Sequence, residues 1–564
     1  MARPRALALG LLGWSGLAAV ALVCVMPVVV ITLGSFSDGN PFNDFQPSLE
    51  PWRRALDSSQ TLVSIGYSFL LSLRVPVALV VAFFVAWYLA RNDVFGKRSI
   101  MYALWLAFFL PILPATLGWI LLLDPHYGLV NVYAESLLGL HGPLLDIYSL
   151  AGISWVHLTL TTIPIMVILI EPAQRFIDSS YEEAATMSGA GTLTTLRRVT
   201  LPLIVPTLLT AFVAGLIRSL EAFEVEQVLG VPAGILVYST RIFNLLRFTP
   251  PDEPQAMALS TFFLVILFAL VVCYRFLLRW GSMVATMTGK GGRFLARART
   301  RFSYLISALL FAALIATVVL PFAMVTLSSF SRLFGFFNLA HPWTMAHWSS
   351  VLESPSFAGA MRQSLYIGAV VASLGTMLYL GLAWFIARND FWGKSALSLA
   401  IWLPWAIPGV LLGTAFITIF LNVPALRLAY GTALALVVVL MVQGLPFATH
   451  IFEASISQVS RELEESALIS GATPLGTVRR ITVPLIAPMI ANVFVISFMA
   501  AMKDISATVL VATPGTQTLP LLMFGYATSG KLEDASVVGV ITVAIAMVMA
   551  LLVTRVGDRA AVMR

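Results

Sequence analysis

Tyr181–Pro206 reads YEEAATMSGAGTLTTLRRVTLPLIVP, and the pattern returns at Leu463–Pro488 as LEESALISGATPLGTVRRITVPLIAP. Glu183, Gly189, Arg197, Arg198, Pro202 and Pro206 reappear as Glu465, Gly471, Arg479, Arg480, Pro484 and Pro488, each displaced by 282 positions, half of the 564-residue chain. Each copy is a charged, helix-favouring break between two apolar runs. Self-similarity at half the chain length marks two copies of one unit.

The surroundings of that break set the class. The chain is 59% hydrophobic and 11% charged, with a mean hydropathy of +0.91, whereas soluble domains carry roughly 25% charged residues. This is the composition of a polytopic membrane protein. The net charge of +7 does not point to nucleic acid, because the arginines sit in short loops between apolar runs and no basic and aromatic patch accompanies them. Cys24 and Cys273 both fall inside apolar runs, which argues against a disulfide framework. Arg3 and Arg5 precede an uncharged run, Ala6–Gly34, too long for a signal-peptide core of about 7–15 residues. It reads as an uncleaved first span.

Apolar runs near the ~20 residues that cross a bilayer fall at about 8–34, 61–90, 99–123, 149–171, 201–222 and 257–280, then 303–328, 363–387, 396–421, 430–452, 483–505 and 536–556. The expected fold is an all-α polytopic membrane protein of about 12 transmembrane helices in two parallel six-helix repeats. The expected boundaries are 1–280 and 303–564, joined by a basic linker over 281–302. Six spans per half put both charged breaks on the same side. With the N-terminus inside, 23 Lys and Arg lie on the inner side against seven on the outer, so positive-inside bias predicts both termini in the cytoplasm.

A second repeat supports the duplication: AWYLARNDVFGK, Ala86–Lys97, returns as AWFIARNDFWGK, Ala383–Lys394, displaced by 297. The 15 surplus residues in the first half fit the outer loop Asp124–Tyr148, which has no Lys or Arg. Within the break, Glu182 and Glu183 suit a helix start and Gly189 suits a helix stop. The spacing predicts a short helix outside the membrane, followed by Pro202 in the first turn of the re-entering span. No phosphate-cradling loop is present: the single Gly-Lys-Ser, Gly393–Ser395, has Arg388 where the first glycine belongs.

These residues resemble the membrane permeases of binding-protein-dependent ABC importers, whose signature is E-A-A, three residues, G, nine residues, I-x-L-P. The first copy supplies Glu183, Ala184, Ala185, Gly189, Val199, Leu201 and Pro202; the second supplies Glu465, Ser466, Ala467, Gly471, Ile481, Val483 and Pro484. The resemblance implies a type I ABC importer permease-like fold in a bacterial inner membrane. It also implies that Glu182–Pro202 and Glu464–Pro484 carry coupling helices for two copies of an ATP-binding cassette ATPase subunit. ATP and Mg would be held by those partners and no cofactor by this chain. A periplasmic or extracellular substrate-binding protein would deliver the cargo. The fused form and the stretch SLEAFEVEQVLGVPAG are most similar to ferric-iron transport permeases, with permeases for thiamine, polyamines or aminoethylphosphonate as alternatives.

Ionisable residues after each break are candidates for the translocation path: Arg218, Glu221 and Glu224 in the first half, Lys503 and Asp504 in the second, with Arg74 in the second span. Charges at mid-bilayer are costly, so each needs water, a partner charge or the interface. Counting ~1.5 Å per residue from Pro202 and Pro484 places Glu221 and Lys503 about 30 Å along, near the outer edge. His157 and His450, single on apolar runs, read as core histidines. A competing class is an ion-coupled secondary transporter with two parallel halves. It accounts for the spans but not for the duplicated signature; a membrane enzyme finds no residue cluster to support it.

Overall fold

The computed structural model describes residues 2–139, 142–247, 249–281 and 301–562. The expected linker 281–302 falls almost wholly outside the described residues, as does His141 of the outer loop. Among the described residues the chain is helical, with β structure confined to two isolated bridges, Ser37 to Pro47 and Ser331 to Trp343. These bridges close the matching loops that follow the first span of each half.

Among the described residues, nine helices are long and apolar enough to cross a membrane: Leu17–Ser35, Ser59–Arg91, Leu150–Phe176, Thr192–Leu220, Glu253–Cys273, Phe302–Ser328, Pro355–Arg388, Ala433–Ser457 and Leu532–Leu552. Three bent pairs complete a set of twelve: Lys97–Phe109 with Ile112–Leu123, Lys394–Trp405 with Gly409–Asn422, and Pro474–Leu485 with Ala487–Lys503. The order matches the twelve apolar runs, six per half. Three of the runs, 99–123, 396–421 and 483–505, are not straight: they turn by 102°, 108° and 82°.

Prolines cause these breaks. Leu110 takes an extended backbone (φ −66°, ψ 142°) directly before Pro111, the conformation a following proline ring imposes. Pro404 and Pro408 flank the second bend, and Pro488 follows the third. A gentler adjustment recurs at five widened, π-type turns: Leu158–Thr162, Leu196–Thr200, Glu226–Gly230, Ile315–Val319 and Val478–Thr482. Each is followed two residues later by proline, at Pro164, Pro202, Pro232, Pro321 and Pro484. The residue just before each proline donates its N–H five residues back, a register that carries the helix past a ring that cannot donate and would strike the carbonyl four residues back. Pro202 therefore lies inside the continuous Thr192–Leu220 span, not at its first turn.

The two halves share a core. The largest buried cluster joins Leu117, Ile217 and Phe223 of the first half to Phe416, Leu522 and Phe524 of the second, and the rings of Phe223 and Phe524 are 5.7 Å apart. Each half also has its own inner cluster, built in the first on Ala78, Ala82, Ala86, Met166 and Ile170 and in the second on Tyr379, Ala383, Leu445 and Phe452. Cys24 is buried, Cys273 is exposed, and both are free thiols.

Candidate functional site

The repeated loops form two matching helices. Ser179–Met187 is capped by the Asp178 carboxylate, which accepts from Ser180 N at 2.9 Å. Arg461–Ile469 is capped by Ser460, which accepts from Glu462 N at 3.2 Å. Both caps satisfy N-terminal amides that have no intrahelical acceptor. At the other end Gly189 and Gly471 sit at φ +81° and +90°, and Ala190 N and Ala472 N reach back to Ala185 O and Ala467 O at 3.0 Å. This closure requires a left-handed residue, which glycine supplies.

One acidic residue per helix faces inward. Glu182 Oε1 lies 3.1 Å from Arg91 Nη2 and accepts from Thr200 Oγ1 at 2.9 Å. Glu464 repeats this with Arg388 Nε at 3.0 Å and Thr482 Oγ1 at 2.7 Å. Each arginine also caps the carbonyl that precedes its loop, Arg91 on Ile177 O at 3.3 Å and Arg388 on Val459 O at 2.9 Å. Arg91 and Arg388 belong to the repeated A-R-N-D turns, where Lys394 Nζ pairs with Asp390 at 3.0 Å. That hydrogen bond holds the Asp390 carboxyl below its ordinary range. The sequence offered both repeats, yet nothing in it linked them; the A-R-N-D turns are anchors for the loop helices.

The outward face is different. Glu183 and Glu465, the acids of the signature proper, are exposed, as are Ala184, Ser466, Pro202 and Pro484, while Ala185 and Ala467 are half-buried. Beside them stand large apolar side chains at matched positions: Met187 and Ile469 are 90% and 87% exposed, and Leu193 and Leu475 are 76% and 79% exposed. Each loop thus presents an acid, a small-residue surface and two apolar knobs, on a helix bolted from below by an ion pair. Exposed apolar residues so grouped mark a contact surface.

The second site is a charged cleft between the halves. Helix Leu201–Leu220 stops at Glu221, and the chain runs unwound through Phe223 before helical turns resume. Its partner Ala487–Lys503 stops the same way at Asp504. Arg218 Nη1 pairs with Glu221 Oε2 at 3.0 Å. Glu224 and Lys503 line one narrow cleft with Pro111, Pro114, Ile505 and Met523. Arg218, Glu224 and Asp504 are within Coulombic reach of one another, and Lys503 lies in the field of Arg218 and Glu224. Lys503 Nζ also donates to Phe108 O at 2.9 Å, at the bend of the first half's broken third span, and lies 4.9 Å from the Phe108 ring centroid.

Arg74 does not join that cleft. It is buried against Glu226, Nη1 to Oε1 at 3.5 Å, and donates from Nη2 to Ser219 O at 3.4 Å. Glu226 Oε1 in turn lies 2.9 Å from His157 Nε2, so His157 belongs to an ionic cluster, while His450 is exposed beside Trp402. Arg74 stands near the middle of the 33-residue span Ser59–Arg91. Its bond to Ser219 sets the end of the Leu201–Leu220 helix beside Arg74, midway along that span.

This arrangement occurs twice, and the match to a known family does too. The family described as binding-protein-dependent transport system inner membrane component matches residues 69–280 and again residues 379–561. The chain belongs to that family. Among relatives of this inner membrane component, the ferric transport system permease protein FbpB of Actinobacillus pleuropneumoniae is 25% identical over 72% of this chain. The chain spans 58% of the length of that relative. A protein of Salmonella paratyphi A named as a 2-aminoethylphosphonate transport system permease protein, PhnV, is 27% identical over 43% of this chain and 89% of its own length. A solved bacterial ABC transporter involved in the import of the polysaccharide alginate aligns with 46% of this chain and 96% of its own, at 20% identity and a TM-score of 0.38.

Proposed function

We propose that this inner membrane component is the permease subunit of an ABC importer, a passive pathway opened and closed by two separate ATPase subunits. The observation that carries this reading is the pair of loop helices, each anchored inward by Arg91–Glu182 or Arg388–Glu464 and each presenting Glu183, Met187 and Leu193 or their counterparts outward. A helix held by a buried ion pair can transmit force, and an apolar face with an acid beside it can seat in a partner's groove. ATP and its Mg2+ belong to those partners. The loops and both termini face the cytoplasm, in line with the distribution of Lys and Arg. A periplasmic binding protein delivers cargo to the opposite face, and alternating access passes it along the Glu221, Glu224, Lys503 and Asp504 cleft.

Ferric iron is the cargo this reading favours. The ferric permease relative covers most of the chain across both halves, whereas the aminoethylphosphonate relative covers one half's length. The test is to express the chain with its ATPase and binding protein, with Met187→Asp and Ile469→Asp introduced together. The variant should insert normally yet lose ATPase co-purification and ATP-dependent uptake of radiolabelled ferric iron. Normal co-purification would overturn the docking reading. Uptake by the lone chain in liposomes driven by an ion gradient would favour a secondary transporter instead.

A further inference from the structure

The docking helices and the charged cleft are far apart, and one continuous helix touches both. Arg74–Arg91 is an uninterrupted α-helix of 18 residues. Its last residue, Arg91, grips Glu182 of the loop helix, and its first, Arg74, grips Glu226 just past the unwound stretch between Glu221 and Glu224. Seventeen residues at ~1.5 Å rise separate the two arginines by about 26 Å. We propose that this helix is a transmission rod, and that Arg91 and Arg74 are the positioning residues that fix it to the docking helix at one end and to the cleft's unwound segment at the other.

Three observations support it. Both grips are buried: the side chains of Arg74 and Glu226 are each 1% exposed, those of Arg91 and Glu182 5% and 15%. Separating a buried pair strands a charge away from water, so these grips are harder to part than a solvent-exposed ion pair. The rod itself is stiff, because Ala78, Ala82 and Ala86 on one stripe are fully buried against Met166, Val167 and Ile170, and Gly215 lets the neighbouring span close on Val75. Small residues of this kind let membrane helices pack backbone to backbone.

The third observation is a control built into the molecule. The second half keeps the inner grip, Arg388 on Glu464. At the repeat equivalents of Arg74, His157 and Glu226 it has Val371, Val439 and Thr508, so its rod, the inner part of Pro355–Arg388, has no ionic hold on the segment after Lys503. The ionic path from docking helix to cleft therefore runs through the first half alone, while helix Pro355–Arg388 holds its own segment by neutral contacts such as Leu519 N to Ser364 Oγ at 2.7 Å.

The proposal rests on the docking reading, and the experiment separates the two. In the complex with ATPase subunits, with Cys24 and Cys273 replaced by Ala, spin labels report three distances with and without ATP. Ser180 to Glu462, one on each docking helix, should change. Ser180 to Val77 and Val77 to Ala233 should stay constant, since docking helix, rod and the segment after Glu226 move as one body. A constant Ser180 to Glu462 distance overturns the docking reading and the rod with it. A change of a helical turn, about 5 Å, in either of the other two overturns the rod alone. The apolar replacement Arg74→Met with Glu226→Met, which avoids a stranded charge, should still co-purify with the ATPase. Its uptake per ATP hydrolysed should fall at least about fivefold, the low end of ordinary coupling, and its Val77 to Ala233 distance should become ATP-dependent. Unchanged uptake per ATP overturns the rod; should the replacement fail to fold, the unmutated distances decide.

Discussion

Lys503 donates to the carbonyl of Phe108 at 2.9 Å, and so the second half's broken eleventh span holds the first half's broken third span. The carbonyl is available because the helix Lys97–Phe109 ends there and the chain bends before Ile112, whose N–H would reach it in a continued helix. A hydrogen bond to a charged group is worth about 1.5–3 kcal/mol. Lys503→Met should lower the thermal unfolding midpoint in nanodiscs, and Lys503→Arg should restore most of it. If the Met variant melts like the unaltered chain, the contact does not join the halves.

The turn that closes each loop helix depends on backbone handedness alone. A Cβ on Gly189 or Gly471 would meet nothing within 4 Å, yet both residues sit at positive φ. An L-residue there costs about 1–2 kcal/mol. Gly189→Ala and Gly471→Ala should each speed amide exchange in the loop helix by about tenfold while leaving the span helices unchanged. Equal exchange rates would mean that the turn relaxes without cost.

Gly118 is a contact glycine of the other kind. It lies in Ile112–Leu123, and a Cβ there would collide with the backbone of Pro321. Backbone cannot swing aside as a side chain does, so Gly118→Ala must push the third span away from Leu320–Ser328. Overpacking of this sort costs about 1–3 kcal/mol. The expected result is a lower yield of folded monomer and a lower melting temperature; Gly381→Ala, where the space is open, should change neither.

The span count and the duplication were legible because both are written in composition and spacing. The twelve apolar runs needed only hydropathy, and the 282 shift needed only matching letters. Direction was not legible: an apolar run reads alike whether straight or bent by 102°, although Pro111 was there to mark the break. The signature drew attention to Glu183 and Glu465, while the structure gives the anchoring to their neighbours Glu182 and Glu464. Adjacent acids on a helix point about 100° apart, and which one faces the protein depends on where Arg91 and Arg388 arrive from distant turns. Arg74 asked for a partner, and the answer, Glu226, lay 152 positions away on the far side of an unwound segment.

The uncharged Val371, Val439 and Thr508 opposite Arg74, His157 and Glu226 bear on why the two halves share one polypeptide. Two identical subunits would carry every charge twice, once in each copy. Covalent joining removes that constraint: each half can drift to its own chemistry while their ratio stays fixed at one to one. The halves are thus free to differ where it counts, the first tying its unwound segment down with a buried ion pair and the second doing without, an asymmetry that no homodimer of either half could have.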